Sequence, residues 1–136
     1  MPFINWSNDL SIGVVQIDGQ HQKLVGMVNR LHDAMKNRTG SQEVVKVLSE
    51  LVEYTKYHFE TEEKLMQQHG YTSFPSHRKE HVDLTKQVSD LAVKVGENNS
   101  SIITIETMNF LRDWLKNHIL GTDMKLGDFL QSKGIK

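Results

Sequence analysis

Two pairs of possible metal ligands, each four residues apart, stand on either side of one short turn: His58 with Glu62, and His77 with His81. On an α-helix a step of four returns a side chain to nearly the same face one turn along, so each pair points one way. Gly70 and Pro75, between the pairs, read as a helix stop and a restart near a first helical turn, which sends two helices off antiparallel. The pairs then face each other. Four polar groups arranged like this have to lie inside a helical bundle, and that requirement limits what the rest of the chain can be.

The remaining sequence supplies the other walls. From Ile17, apolar or ligand residues recur at His21, Leu24, Val28, Leu31 and Met35 in alternating steps of four and three, the signature of a bundle seam. Asp18 is the expected N-cap of this helix, and Arg38-Thr39-Gly40 its end. A second seam runs through Val44, Leu48, Leu51, Thr55, His58, Glu62 and Leu65. The third carries His77, His81, Leu84, Val88, Leu91 and Val95, and Gly96-Glu97-Asn98-Asn99 closes it. A fourth begins near Ser100 or Ser101 and passes Ile103, Phe110, Leu111, Trp114, Leu115 and His118; Gly121 interrupts it before a short helix with Leu126, Phe129 and Leu130. The predicted fold is therefore all-α, an up-down-up-down four-helix bundle forming one domain over residues 1–136. Its parts are an extended arm over about 1–16, helices over about 17–37, 42–69, 75–95 and 101–120, and a short helix over about 123–132.

Composition narrows the chemistry. With 38% hydrophobic and 24% charged residues, 136 residues suffice for one core. The 16 basic and 17 acidic residues nearly cancel and form no basic block, so nucleic acid is not an expected partner. No apolar run approaches about 18 residues, and the start is polar from Asn5 onward, so neither a membrane span nor a signal peptide is expected and the expected location is cytoplasmic. Cysteine is absent, which removes disulfides, thiolate catalysis, zinc fingers and cysteine-ligated iron–sulfur clusters. Any metal must take nitrogen and oxygen donors.

A single buried histidine needs only a hydrogen-bond partner to explain it. Here all four helices place histidine in the seam, and carboxylates accompany two of them. His58, Glu62, His77 and His81 flank one tight turn; His21 lies near a helix start and His118 near a helix end, so an up-down bundle brings all of them to one depth. The candidate metal ligands are His21, His58, Glu62, His77, His81, His118 and Asp123. Asp123 fits least well, because five residues beyond His118 correspond to about 140° around an ideal helix. Gly121 could redirect the last turn and swing Asp123 inward; alternatively Asp123 or Thr122 merely caps the final helix. His32 lies about 16 Å along the helix from His21, and His69 about 10 Å beyond Glu62, so both are expected to be structural. Five imidazoles and two carboxylates exceed the four ligands of a zinc site and suit two ions of iron, copper or manganese.

Taken together, WSNDLSIGVVQIDGQHQKL, HFETEEKLMQQHGY, HRKEH and WLKNHILGTD resemble the hemerythrin family, specifically its bacterial members, over nearly the whole chain. The resemblance implies two iron ions (Fe2+/Fe3+) with a bridging oxo or hydroxo group. His77, His81 and His118 would bind one ion and His21 and His58 the other, with Glu62 and Asp123 bridging. It further implies reversible O2 binding, with O2 held as (hydro)peroxide on the five-coordinate iron, for transport, storage or delivery and without catalysis. Trp114, Leu115 and Ile119, which flank His118, would line the O2 pocket, Leu115 and Ile119 more so than Trp114, with ordinary core packing the alternative. Two other functions stay open: an O2-sensing domain of a larger signalling protein, and a di-iron oxidase or an enzyme handling peroxide or nitric oxide. An enzyme would need a proton donor or substrate channel at the open coordination position, and the residues near His118 offer neither.

Overall fold

At Gly70 the backbone turns left-handed, with φ of 69°, a conformation in which a side chain would be strained. The Tyr71 N–H reaches the Met66 carbonyl at 2.9 Å and the Gly70 N–H the Gln67 carbonyl at 3.4 Å, the paired bonds of a Schellman C-cap. This ends α2 (Ser41–His69). After four intervening residues α3 (Phe74–Glu97) begins, with Pro75 in its first turn where a missing N–H costs nothing. The computed structural model describes residues 3–36, 41–97 and 105–136. In it α2 packs against α3 and against α1 (Val15–Lys36), and α1 packs against α4 (Ile105–Asn117). Among the described residues there is no strand, and the architecture is an all-α four-helix bundle.

The seams fill the core, with local corrections. In α1 the buried stripe is Ile17, His21, Leu24, Val28 and Leu31, continued by Ala34 where Met35 was expected. In α2 the residue after Glu62 in the stripe is the fully buried Met66, four residues on, and Leu65 is half-buried. In α4 the stripe runs Met108, Leu111, Leu115 and His118, steps of three, four and three, which leaves Phe110 off the face and 42% exposed. Each such Leu or Ile that leaves water contributes about 1.5–3 kcal/mol, so these stripes supply most of what holds the rods together. The expected ends at Arg38-Thr39-Gly40 and at Asn98-Asn99, and the start near Ser100 or Ser101, lie outside the described residues; α3 itself continues through Gly96 to Glu97.

Two corrections concern the ends. Asp18 is no N-cap, because α1 already begins at Val15. Its carboxylate instead reaches back to the arm, accepting the Ile12 N–H at 2.8 Å and the Ser11 hydroxyl at 2.6 Å. The arm, which includes a 3-10 turn at Asn8–Leu10, buries Ile4, Leu10, Ile12 and Val14, and Asn29 clamps the Ile4 backbone through both its N–H and its carbonyl. Nor does Gly121 interrupt the last rod. The chain passes from α4 through a π-helical turn, His118–Asp123, straight into α5 (Met124–Ser132). There Gly127 lets the Ile12 backbone lie directly on α5, and the Gln131 side-chain N–H donates to the Ile12 carbonyl at 2.8 Å.

Candidate metal centre

The π turn settles where Asp123 points. Its closing bond runs from the Met124 N–H to the Ile119 carbonyl, a span of five residues in place of four. Five residues then complete about one turn, and His118 and Asp123 share a face. Gly121 is not the cause: it does not adopt positive φ, and an added Cβ would touch nothing within 4 Å. Asp123 does not cap α5 through its side chain, since its backbone is helical and makes no capping bond; its carboxylate faces the core.

Around that carboxylate the four helices bring together seven buried side chains. The Nε2 atom of every one of the five histidines lies beside Glu62 or Asp123. His21 is 3.2 Å from Glu62 Oε2 and 3.1 Å from Asp123 Oδ2, and His58 is 2.8 Å from Glu62 Oε2. On the other side His77 is 3.1 Å from Glu62 Oε1 and 2.9 Å from Asp123 Oδ1. His81 is 3.0 Å from Glu62 Oε1, and His118 is 3.1 Å from Asp123 Oδ1. Each carboxylate thus turns one oxygen to His21 and its neighbours and the other to the second group. The donor atoms form two overlapping sets, Glu62, His77, His81, His118 and Asp123 in one and His21, His58, Glu62 and Asp123 in the other, each within 4.8 Å.

Short distances here do not mean good hydrogen bonds. Nε2 of His58, His81 and His118 and both oxygens of Asp123 are buried without an aligned partner. Buried polar atoms left so are costly unless something else engages them, and nitrogen and oxygen donors aimed at common points suit a transition-metal ion such as iron. The residues present fit such a pair of ions on this ground.

The outer nitrogens explain the aim of three of these rings. The Nδ1–H of His58 donates to Gln20 Oε1 at 2.7 Å, that of His81 to Glu63 at 3.1 Å, and that of His118 to Glu80 at 2.8 Å. Each bond places the proton on Nδ1 and leaves the Nε2 lone pair facing inward. The Thr122 hydroxyl donates to Glu80 as well, and Gln20 Nε2 donates to Thr61 at 3.4 Å. Sequence reasoning missed Gln20, Glu63 and Glu80. Each adjoins a predicted ligand in sequence, which is a usable signal, but periodicity alone places them on a flank without a partner.

Electrostatics in the metal-free chain favour charged forms. Burial alone would lower the His21 and His77 pKa values, but hydrogen bonds and charge from Asp123 and Glu62 outweigh it and raise them to about 10 and about 9. His118 is raised in the same way, with Asp123 the main opponent of burial. Burial would raise Glu62 and Asp123, yet the surrounding imidazoles hold both well below the ordinary carboxylate range.

One turn below this layer lies an apolar cavity of about 30 Å³, lined by residues that include Leu24, Thr55, Phe59, Leu84 and Leu115. Leu24, Thr55, Leu84 and Leu115 are each three residues from a histidine of the centre, about 4.5 Å along their helices. At about 10–15 Å³ per water-sized sphere, a diatomic molecule has room there. Thr55 is the one polar side chain in its lining. Of Trp114, Leu115 and Ile119, Leu115 lines this cavity; Trp114 stacks on His118 with centroids 4.6 Å apart, and Ile119 is fully buried beside it. Phe59 was not singled out from the sequence. It stacks flat on His81 at 3.8 Å and walls the cavity. His32 stacks on Phe3 at 4.3 Å, well away from the cluster, and His69 ends α2.

A four-helix bundle with a buried cluster of imidazoles shared between two carboxylates defines a class, the non-haem metal-binding bundles. Within it the chain belongs to the hemerythrin family: the family model described as the hemerythrin HHE cation binding domain matches residues 12–130. It is 36% identical over 130 residues to a bacteriohemerythrin of Stenotrophomonas maltophilia, spanning 94% of this chain and 82% of that protein. It is 35% identical to the bacteriohemerythrin of Methylococcus capsulatus over 133 residues, 97% of this chain and 100% of that one. Among solved structures, a wild-type hemerythrin superposes with TM-score 0.86 at 34% identity, over 93% of this chain and 96% of that chain. A leucine-to-tyrosine hemerythrin mutant gives 0.88 at 33% identity, over 94% and 97%.

Proposed function

We propose that this protein binds O2 reversibly at a non-haem di-iron centre and serves as a carrier, store or delivery module, without turnover. The observation that carries the reading is the division of seven buried donors into two sets that share Glu62 and Asp123. In this reading His77, His81 and His118 hold one iron, His21 and His58 the other, and the two carboxylates tie the ions together. When bound, the ferrous pair supplies the two electrons needed to hold one O2.

The protein's own contribution is positioning and exclusion. The His21 and His58 half offers four side-chain donors against five in the other half, so it is the half with room for a small ligand. The apolar cavity one turn from the layer of ligands admits a diatomic gas, and its lining presents Thr55 and otherwise hydrocarbon, which provides no acid to drive O–O cleavage. Leu115 shapes the cavity, while Trp114 and Ile119 keep His118 dry and fixed. No helix among the described residues is long and apolar enough to cross a membrane. A sensor role would need a partner domain; the Methylococcus capsulatus relative is matched along its full length, so that relative consists of a domain like this one.

The test is iron analysis followed by O2 titration of the reduced protein. Two irons per chain and one O2 taken up, then released under vacuum with the original spectrum restored, is the expected result. Sustained consumption of a reductant in air would replace the carrier with an oxidase, and failure to take up iron would remove the reading altogether.

A further inference from the structure

We propose that Glu80, which is not among the ligands, makes the two halves of the centre electronically unequal, so that the half held by His77, His81 and His118 is oxidised first. The inference rests on the iron-binding reading above. Its basis is the different backing of the ligand rings. On the three-histidine side, His118 and His81 donate their outer N–H to the carboxylates of Glu80 and Glu63. On the other side, His58 donates to the neutral amide of Gln20; one ring on each side, His21 here and His77 there, has an Nδ1 without a partner, so the contrast lies in the acids behind His81 and His118 against the amide behind His58.

A carboxylate draws the Nδ1 proton towards itself, giving the ring partial imidazolate character and a stronger Nε2 donor, which favours the more highly charged ion. An amide oxygen does this far less. Of the two acids Glu80 is the stronger lever. Glu63 is shared with the Arg78 guanidinium at 3.5 Å, which draws off part of its charge, whereas the other partner of Glu80 is the neutral hydroxyl of Thr122 at 2.8 Å. Thr122 belongs to the π turn, so the turn that brings Asp123 inward also holds Glu80 on His118. Glu80 is 44% exposed at its side chain, so replacing it with its isosteric amide removes a charge without emptying the core. In the oxidation itself one electron leaves for an external acceptor, no bond breaks, and the Nδ1 proton stays between His118 and Glu80.

Midpoint potentials of the iron-loaded full chain, from a ferricyanide titration followed spectroscopically, with iron counted in every sample, test this. The native protein should show two separated one-electron steps. Glu80→Gln should raise the lower potential and narrow the gap; Thr122→Val should do so to a smaller extent; Gln20→Glu should narrow the gap from the other side by lowering the higher potential. Glu60→Gln, an exposed acid paired with Lys64, should change neither step. If Glu80→Gln retains two irons and leaves both potentials in place, or if Glu60→Gln shifts them as much, the proposal is wrong. A native chain that takes up no iron would instead overturn the iron-binding reading itself.

Discussion

Removing a single imidazole separates ligands from other histidines. His58→Ala and His77→Ala each delete one inward-facing nitrogen and leave its carboxylate neighbours buried, so each should lose bound iron and several kcal/mol of stability. His32→Ala forfeits only a stacking contact with Phe3 and should keep its metal; equal iron content in all three would refute the assignment. Other members of the cluster, with His77, set the pH response of the metal-free chain. His21 and His77, raised from 6.5 to about 10 and about 9 in the folded state, contribute stability that is complete below pH 6.5 and fades as pH rises through those values. Glu62 and Asp123 are depressed from 4.5 and 3.8, so their contribution is complete above those values and is lost as the solution is acidified. Urea midpoints of metal-free protein should therefore peak between about pH 5 and 6.5 and decline on either side. Because His21 and His77 carry protons at neutral pH, loading metal must expel them, and calorimetry in two buffers of different ionisation enthalpy should reveal that release.

Among the elements, the seams and the Gly70 turn were legible because steps of three and four and a glycine stop are local properties of the sequence. The final rod was not. A π turn differs from a broken helix by hydrogen bonds that shift by one acceptor, and its residues, HILGTD, carry no compositional mark of that shift. Gly121 attracted the explanation only because glycine usually marks a bend. Deleting Gly121 should restore regular α geometry with Asp123 four residues from His118, about 40° from its face, so Asp123 should stay in the centre and two irons should still bind, and Gly121→Ala should be tolerated as well. Stoichiometric iron analysis checks both, and loss of iron on deletion would refute the account of the π turn. Gly127 behaves in the opposite way. A Cβ there would strike the Ile12 carbonyl, so Gly127→Ala should lift the arm and cost about 1–3 kcal/mol in denaturant unfolding.

For the molecule as a whole, the common depth of the histidines followed from topology, but the backing of each ring did not. Which flank residue meets which ligand depends on the rotation of neighbouring rods, and that is a property of the packed core. The cavity was likewise partly visible: Leu115 was marked by its nearness to His118, while Phe59, Leu24 and Leu84 enter it from the other three helices. Phe59→Ala would merge this space with the outer groove between α2 and α3 that Phe59 also lines, costing about 3–5 kcal/mol. Oxygenated protein of this variant should decay to the ferric form faster, as absorbance over time would record.

The donors come from every long rod, from His21 near the start to Asp123 at the end of the π turn. Once ions link them, no rod can open alone without surrendering a bond at the shared centre. Amide hydrogen exchange should therefore convert on loading from separate local openings to one slow rate common to α1, α2, α3 and the last rod, so that the metals set the cooperativity of the protein as well as its chemistry.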